Sequence, residues 1–240
     1  MFPLKDNNPT QTRAYVTMLF IAINVVVFLY ELTLGDHVEG FVAAWGAIPY
    51  EIVHFEDLVG PAGGGFNHTA GPPFLPLTLL SSMFMHGSIM HIFGNMLFLW
   101  IFGDNLENAM GRIRYLIFYL VTGIIASLAH VISTFVFGDN PFIPSLGASG
   151  AISGVLGGYL VLYPKKSVRV IMLRMLTTVP AIVAIGLWFV FQLISAFGVI
   201  GAGPQSGGGV AFMAHIGGFV AGLVLVKFFT LGRTPTAVQP

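Results

Sequence analysis

Four polar side chains stand where this 240-residue chain is otherwise apolar: Ser149, His215, His91 and Asn95. Ser149 opens the glycine-rich stretch Gly147-Ala-Ser-Gly150-Ala-Ile-Ser-Gly154, and His215 lies in Ala214-His-Ile-Gly-Gly218-Phe-Val-Ala-Gly222. A serine hydroxyl is a poor nucleophile until a base takes its proton, and an imidazole can do so near neutral pH. His91 and Asn95 are four residues apart and share a helix face. Both can donate hydrogen bonds, as a developing oxyanion requires. The set is that of acyl transfer through a serine. Each residue also has a plainer role open to it. A serine in an apolar helix can bond back to a carbonyl or cap an N-terminus. Buried histidines and asparagines can join helices by hydrogen bonds.

The elements that must carry these residues follow from composition. The chain is 55% hydrophobic and 8% charged, with mean hydropathy +0.85, whereas soluble domains carry about 25% charged residues. It reads as an all-α multi-pass membrane protein, one bundle solvated by lipid. Net charge is zero, so nothing points to nucleic acid. Cysteine is absent, which excludes a disulfide framework, a thiol nucleophile and thiolate metal sites. Six apolar spans are expected, near residues 15–34, 84–102, 115–137, 149–163, 170–197 and 210–229. The second would contain His86, His91 and Asn95 and end in a turn at Gly103-Asp-Asn-Leu-Glu107. The fifth would bend near Pro180. Residues 35–84 form a long acidic connection whose aromatic residues suggest short interfacial helices. Residues 1–14 and 231–240 are polar tails flanking one domain, 15–230.

Lys and Arg occur before span one, between two and three, between four and five, and after six, and in no other connection. That alternation places both termini in the cytoplasm and supports six spans. Depth then follows from a rise of about 1.5 Å per residue. His215 precedes Lys227 by about 18 Å, Ser149 precedes Lys165 by about 24 Å, and His91 precedes Asp104 by about 20 Å. All three fall in the outer half of the bilayer. No carboxylate lies at that depth in these spans, so a dyad is expected without the Asp of the Ser-His-Asp arrangement. Gly150, Gly154 and Gly158 repeat every four residues, as do Ala214, Gly218 and Gly222. Such rows let helix backbones approach closely in lipid, which would bring His215 towards Ser149. No His-Glu-x-x-His zinc motif occurs, and on a continuous helix His86 and His91 would project about 140° apart, so no metal or other cofactor is expected.

These motifs resemble the rhomboid family of intramembrane serine proteases. The pattern is His86-x4-His91-x3-Asn95, then Gly147-Ala-Ser149-Gly150, then Ala214-His215-Ile-Gly-Gly218-x3-Gly222, with Gly103-Asp-Asn-Leu-Glu107 similar to the turn after span two. The resemblance covers residues from about 15 to 230 and implies the basic six-span bundle. By it, Ser149 is the nucleophile and His215 the general base, then acid. His91, Asn95 and the Ser149 N–H form the oxyanion hole. Gly147 shapes the site loop beside Gly150, His86 is structural or holds water, and Glu107 ties down the turn by hydrogen bonds. Gly218 and Gly222 support close packing. Residues 198–209 match a cap over the site, and span five a lateral gate. Two positions depart from the pattern: Leu77-Thr78 stands where some members have Trp-Arg, and Ser153 where some have an aromatic stacked on the histidine.

The resemblance implies cleavage of single-span transmembrane proteins near the outer end of their membrane segment. The chain would reside in a plasma (inner) membrane, with its site opening to the extracytoplasmic side. Two rival readings are a rhomboid-fold pseudoenzyme that binds membrane helices and a small transporter. The first lacks the serine or the histidine, and both are present here. The second needs acidic residues within spans, whereas here they lie almost entirely in loops. Nothing in the sequence sets an oligomeric state.

Overall fold

The computed structural model describes residues 2–61, 67–172, 175–202 and 212–233. It is mostly helical. Strand β1 (Phe2–Asp6) leads into α1 (Tyr15–Thr33). The connection that follows contains α2 (Val38–Trp45), α3 (Pro49–His54), a two-residue ladder of β2 (Gly60–Pro61) and β3 (Asn67–His68), and α4 (Thr78–Ser81). Then come α5 (Ile89–Met110), α6 (Arg112–Phe137) and α7 (Ser149–Leu162). A hairpin of β4 (Ser167–Met172) and β5 (Met175–Pro180) leads to α8 (Ala181–Ala202) and α9 (Phe212–Thr230).

Helices α1, α5, α6 and α9 are each long and apolar enough to cross a membrane. Large apolar side chains face outward along them, among them Val26 and Leu29 of α1, Ile132 and Val136 of α6, and Val224 and Phe228 of α9. Exposure on that scale fits a lipid solvent. The 14-residue α7 is different. It rises only about 21 Å, and residues 150–159 are all buried. A helix too short to reach both faces must have its free N–H groups served by protein or cavity water, and a central position provides that.

The interior is built where α6, α7 and α9 meet, with α5 and α1 against them. Gly218 and Gly222 of α9 rest on the backbone of Gly150 and Gly154 of α7. The glycine rows thus do what their spacing suggests. On the side where a Cβ would project, Gly150 and Gly154 meet Ala126 and Thr122 of α6, so α7 is gripped from two directions.

Basic residues gather at one end. β1 pairs antiparallel with β4, placing Lys5 opposite Arg169. Arg114 donates to the Leu231 carbonyl (2.7 Å) at the end of α9, and Arg233 lies against Gly111. Asp6 anchors the strand to the bundle foot, accepting from Tyr159 Oη (2.8 Å) and Asn105 Nδ2 (2.9 Å). Burial raises its carboxyl above the ordinary range, against the pull of those two bonds.

The boundaries differ from the sequence expectation in five places. The second long helix begins at Ile89, not near residue 84, because Met85 and Ser88 are extended and the Ser88 hydroxyl caps it, accepting from the His91 N–H (3.2 Å). Gly103 to Glu107 is helical, and the chain turns instead at Gly111, whose φ of +77° suits glycine. Pro180 does not bend a span: residues 167–172 and 175–180 are strands, and α8 starts after it. Residues 2–6, expected as a tail, form β1. Of the expected cap at 198–209, residues 198–202 continue α8, and 203–209 lie outside the described residues.

Candidate active site

Ser149 is the first residue of α7, and no side chain caps that helix. Its backbone N–H is among those with no partner inside the helix. Its hydroxyl does not bond back along the chain. Instead Ser149 Oγ lies 2.7 Å from His215 Nε2 on α9. Ser153, one turn on, takes the plainer role and donates to the Ser149 carbonyl (2.6 Å). The serine thus sits at a helix start inside the bundle with an imidazole in hydrogen-bond reach.

His215 is held from the other side as well. Its Nδ1 lies 2.8 Å from Gln192 Oε1 on α8. The rings of Trp188 and Phe212 flank it, with centroids at 6.1 and 6.4 Å. The imidazole thus has these partners while position 153 carries a serine and not an aromatic. The sequence motifs do not include Gln192, because they point to no carboxylate beside His215 and an amide has no catalytic signature of its own. The available signal was an amide inside the apolar run 181–194, since polar groups at such depth mark function by default.

The loop before Ser149 is held by backbone. Gly147 N–H donates to the Ser82 carbonyl (2.8 Å). Ala47 and Ser145 exchange hydrogen bonds at 3.0 and 2.9 Å, and Tyr50 N–H donates to the Pro141 carbonyl (3.0 Å). Ser81 Oγ adds a bond to the Trp45 carbonyl (2.7 Å). With Leu77-Thr78 in place of Trp-Arg, the long first connection is therefore fastened by main-chain bridges to the loop that presents Ser149. Gly147 has φ +125°, and a Cβ there would lie 2.9 Å from the His91 ring and 3.7 Å from Ser149 Oγ. His91 is thereby brought to the serine from α5.

Asn95 lies one turn after His91 and is buried. Its Nδ2 is 3.0 Å from His86 Nε2. A primary amide has two N–H groups, so one remains after this bond. His86 precedes the helix, and its ring centroid is 5.0 Å from that of His91. The expected 140° separation does not hold, because α5 starts only at Ile89. The His86 backbone N–H donates to Glu31 Oε2 (3.2 Å), a buried carboxylate of α1. Among the described residues no group of three or more His, Cys, Asp or Glu is placed to hold a metal ion.

Glu107 lies elsewhere. Its carboxylate accepts from Val16 N–H (3.0 Å), Thr17 N–H (2.8 Å) and Thr17 Oγ1 (2.9 Å). It caps the start of α1 from α5 and does not fasten a turn of its own. The free N–H groups and dipole of a helix start favour a carboxylate there.

Residues 76–231 match the Rhomboid domain family. Over 229 residues the chain is 32% identical to the protein named Rhomboid protease GluP of Bacillus subtilis (strain 168), covering 91% of this chain and 37% of that protein. It is 29% identical over 227 residues to RHOMBOID-like protein 4 of Arabidopsis thaliana, covering 86% of this chain and 50% of that one. With Rhomboid protein 1, mitochondrial, of Saccharomyces cerevisiae it shares 30% over 148 residues, which is 62% of this chain and 40% of the relative. The chain thus spans half or less of the length of these relatives. By the family match and by the apolar helices that carry the site, this multi-pass membrane protein belongs to the rhomboid family.

Proposed function

We propose that the chain is an intramembrane serine endopeptidase that cleaves single-span membrane proteins near the outer end of their transmembrane segment. The observation that carries this is the 2.7 Å approach of His215 Nε2 to Ser149 Oγ inside a lipid-facing bundle. Nε2 takes the hydroxyl proton as Oγ attacks the scissile carbonyl carbon. The tetrahedral oxyanion is received by the Ser149 N–H, the free amide N–H of Asn95 and the His91 imidazole. Nε2 returns the proton to the leaving amine as the C–N bond breaks, leaving an ester on Ser149. Water, deprotonated by Nε2, then attacks the ester. The acid product departs and Ser149 regains its proton.

In this reading the chain passes the bilayer six times, on α1, α5, α6, α7, α8 and α9, with the short α7 completing its pass through the loop before Ser149. The basic end of the bundle faces the cytoplasm with both termini. Ser149 then opens to the extracytoplasmic side of a plasma membrane, and α8 is the element a substrate would pass. Substrates need small, helix-weakening residues, because a helix engages its own carbonyls.

The test uses purified full-length protein in liposomes with a labelled single-span substrate. Wild type is expected to cleave, and Ser149→Ala and His215→Ala to lose cleavage. Fluorophosphonate labelling should be confined to Ser149. Full cleavage by Ser149→Ala would overturn the reading. Intact binding of membrane helices with neither labelling nor cleavage would favour a pseudoenzyme.

A further inference from the structure

We propose that Gln192 is a positioning residue for this reaction: it sets the tautomer of His215 and makes assembly of the Ser149–His215 pair depend on the seating of α8. The proposal rests on the protease reading above.

Ser149 needs the lone pair of Nε2. A neutral imidazole has one N–H, so the proton must sit on Nδ1. A buried Nδ1–H is costly without an acceptor. Gln192 Oε1 is that acceptor at 2.8 Å, on a side chain only 6% exposed against an imidazole 9% exposed. If the amide did not point its oxygen at Nδ1, the proton could move to Nε2, where it would block the base. When His215 takes the serine proton, the same bond becomes charge-assisted and strengthens. A neutral amide does this without a buried carboxylate, whose desolvation within a membrane is expensive. The dyad thus has a third, uncharged member.

That member rides on a separate helix. Trp188 and Gln192 are four apart on α8 and share a face. Trp188 lies beside both His215 and Phe219, and Phe189 stacks on Phe219 with centroids 4.2 Å apart. On the α5 side, a cavity of about 20 Å³ remains between Phe98, Phe102, Leu156, Ala184 and Trp188. So α8 is seated against α9 through a few rings and is less filled against α5. A shift of about 1 Å would take a 2.8 Å hydrogen bond beyond its range. A substrate that displaced α8 would release the base, and α8 must reseat before the serine is activated.

The test compares wild type, Gln192→Leu, Gln192→Glu and Ser149→Ala in the liposome assay. Gln192→Leu keeps the bulk and removes the acceptor. It should lower kcat about 10- to 100-fold, the effect of one hydrogen bond to a group that becomes charged. KM should stay within about twofold, since only ground-state binding would move it. Fluorophosphonate labelling of Ser149 should slow in parallel, while the variant still unfolds in one cooperative thermal transition. Gln192→Glu keeps an acceptor oxygen and should restore most of kcat. Leucine retaining kcat, or glutamate failing as badly as leucine, would overturn the proposal. Cleavage by Ser149→Ala would instead sink the protease reading itself. Should Gln192→Leu not fold, nitrogen NMR of histidine-labelled wild type decides, with His215→Ala assigning the signal: a proton on Nδ1 is expected, and a proton on Nε2 overturns the proposal.

Discussion

Gly218 of α9 rests against the backbone carbonyl of Gly150 of α7, so the helices bearing His215 and Ser149 touch main chain to main chain one turn from the reacting atoms. One turn further, Gly222 meets Gly154 in the same way. The 2.7 Å approach of imidazole to hydroxyl depends on this contact. Gly218→Ala or Gly222→Ala should destabilise the fold by about 2 kcal/mol or more, as overpacking does, and should abolish cleavage. Gly186→Ala on α8 is the control: nothing lies within 4 Å of its added methyl, so it should be neutral or gain up to about 1 kcal/mol of helix stability. Thermal unfolding in detergent reads both. Equal tolerance at all three positions would show that the close contact is not required.

Gly147→Ala should separate activity from stability. The new methyl would press on the His91 ring at 2.9 Å, in a backbone with φ +125°. Displacing one oxyanion donor costs about 100- to 1,000-fold in kcat, whereas holding a residue with a side chain at this positive φ costs about 1–3 kcal/mol. Fluorophosphonate labelling of a folded variant checks this, and labelling at the wild-type rate would refute it.

Glu107→Ala should act on the fold and not on the chemistry. It removes one carboxylate and leaves the N–H groups of Val16 and Thr17 unpaired in a buried place. The cost should be about 3–5 kcal/mol in unfolding free energy. Thr17→Val removes only the hydroxyl bond and should cost about 1 kcal/mol. A ranking in the opposite order would show that the cap is not what holds α1 to α5.

Glu51 of α3 gives the first connection a pH dependence. Burial pushes its carboxyl from 4.5 up to about 7, the neighbouring Asp57 charge adds to the rise, and the Leu58 N–H opposes it. The folded state therefore binds a proton that the unfolded state releases. Its stabilising contribution is fully present below about pH 4.5 and is lost as pH rises through about 7. The unfolding midpoint of wild type should fall between pH 5 and pH 8, and Glu51→Gln should flatten that slope. A slope unchanged in Glu51→Gln would assign the effect to other groups.

Residue types and spacing alone determined the catalytic candidates, the family resemblance and the close packing of α7 on α9. A serine and a histidine in apolar runs, and glycines every fourth residue, are read one segment at a time. Hydropathy likewise reports whether lipid or water solvates a segment, which is why the long helices fell near their expected places. Their ends did not. The start of α5 depends on the Ser88 cap, and residues 167–172 and 175–180 become strands that pair with each other and, through β4, with β1 from the far end of the chain. Only the tertiary structure set His86 beside Asn95, turned Glu107 onto α1, and brought Gln192 to His215 across 23 residues. Those are pairings between side chains whose local sequence is indifferent to them. They exist because packing places each donor where its acceptor would otherwise be buried unpaired.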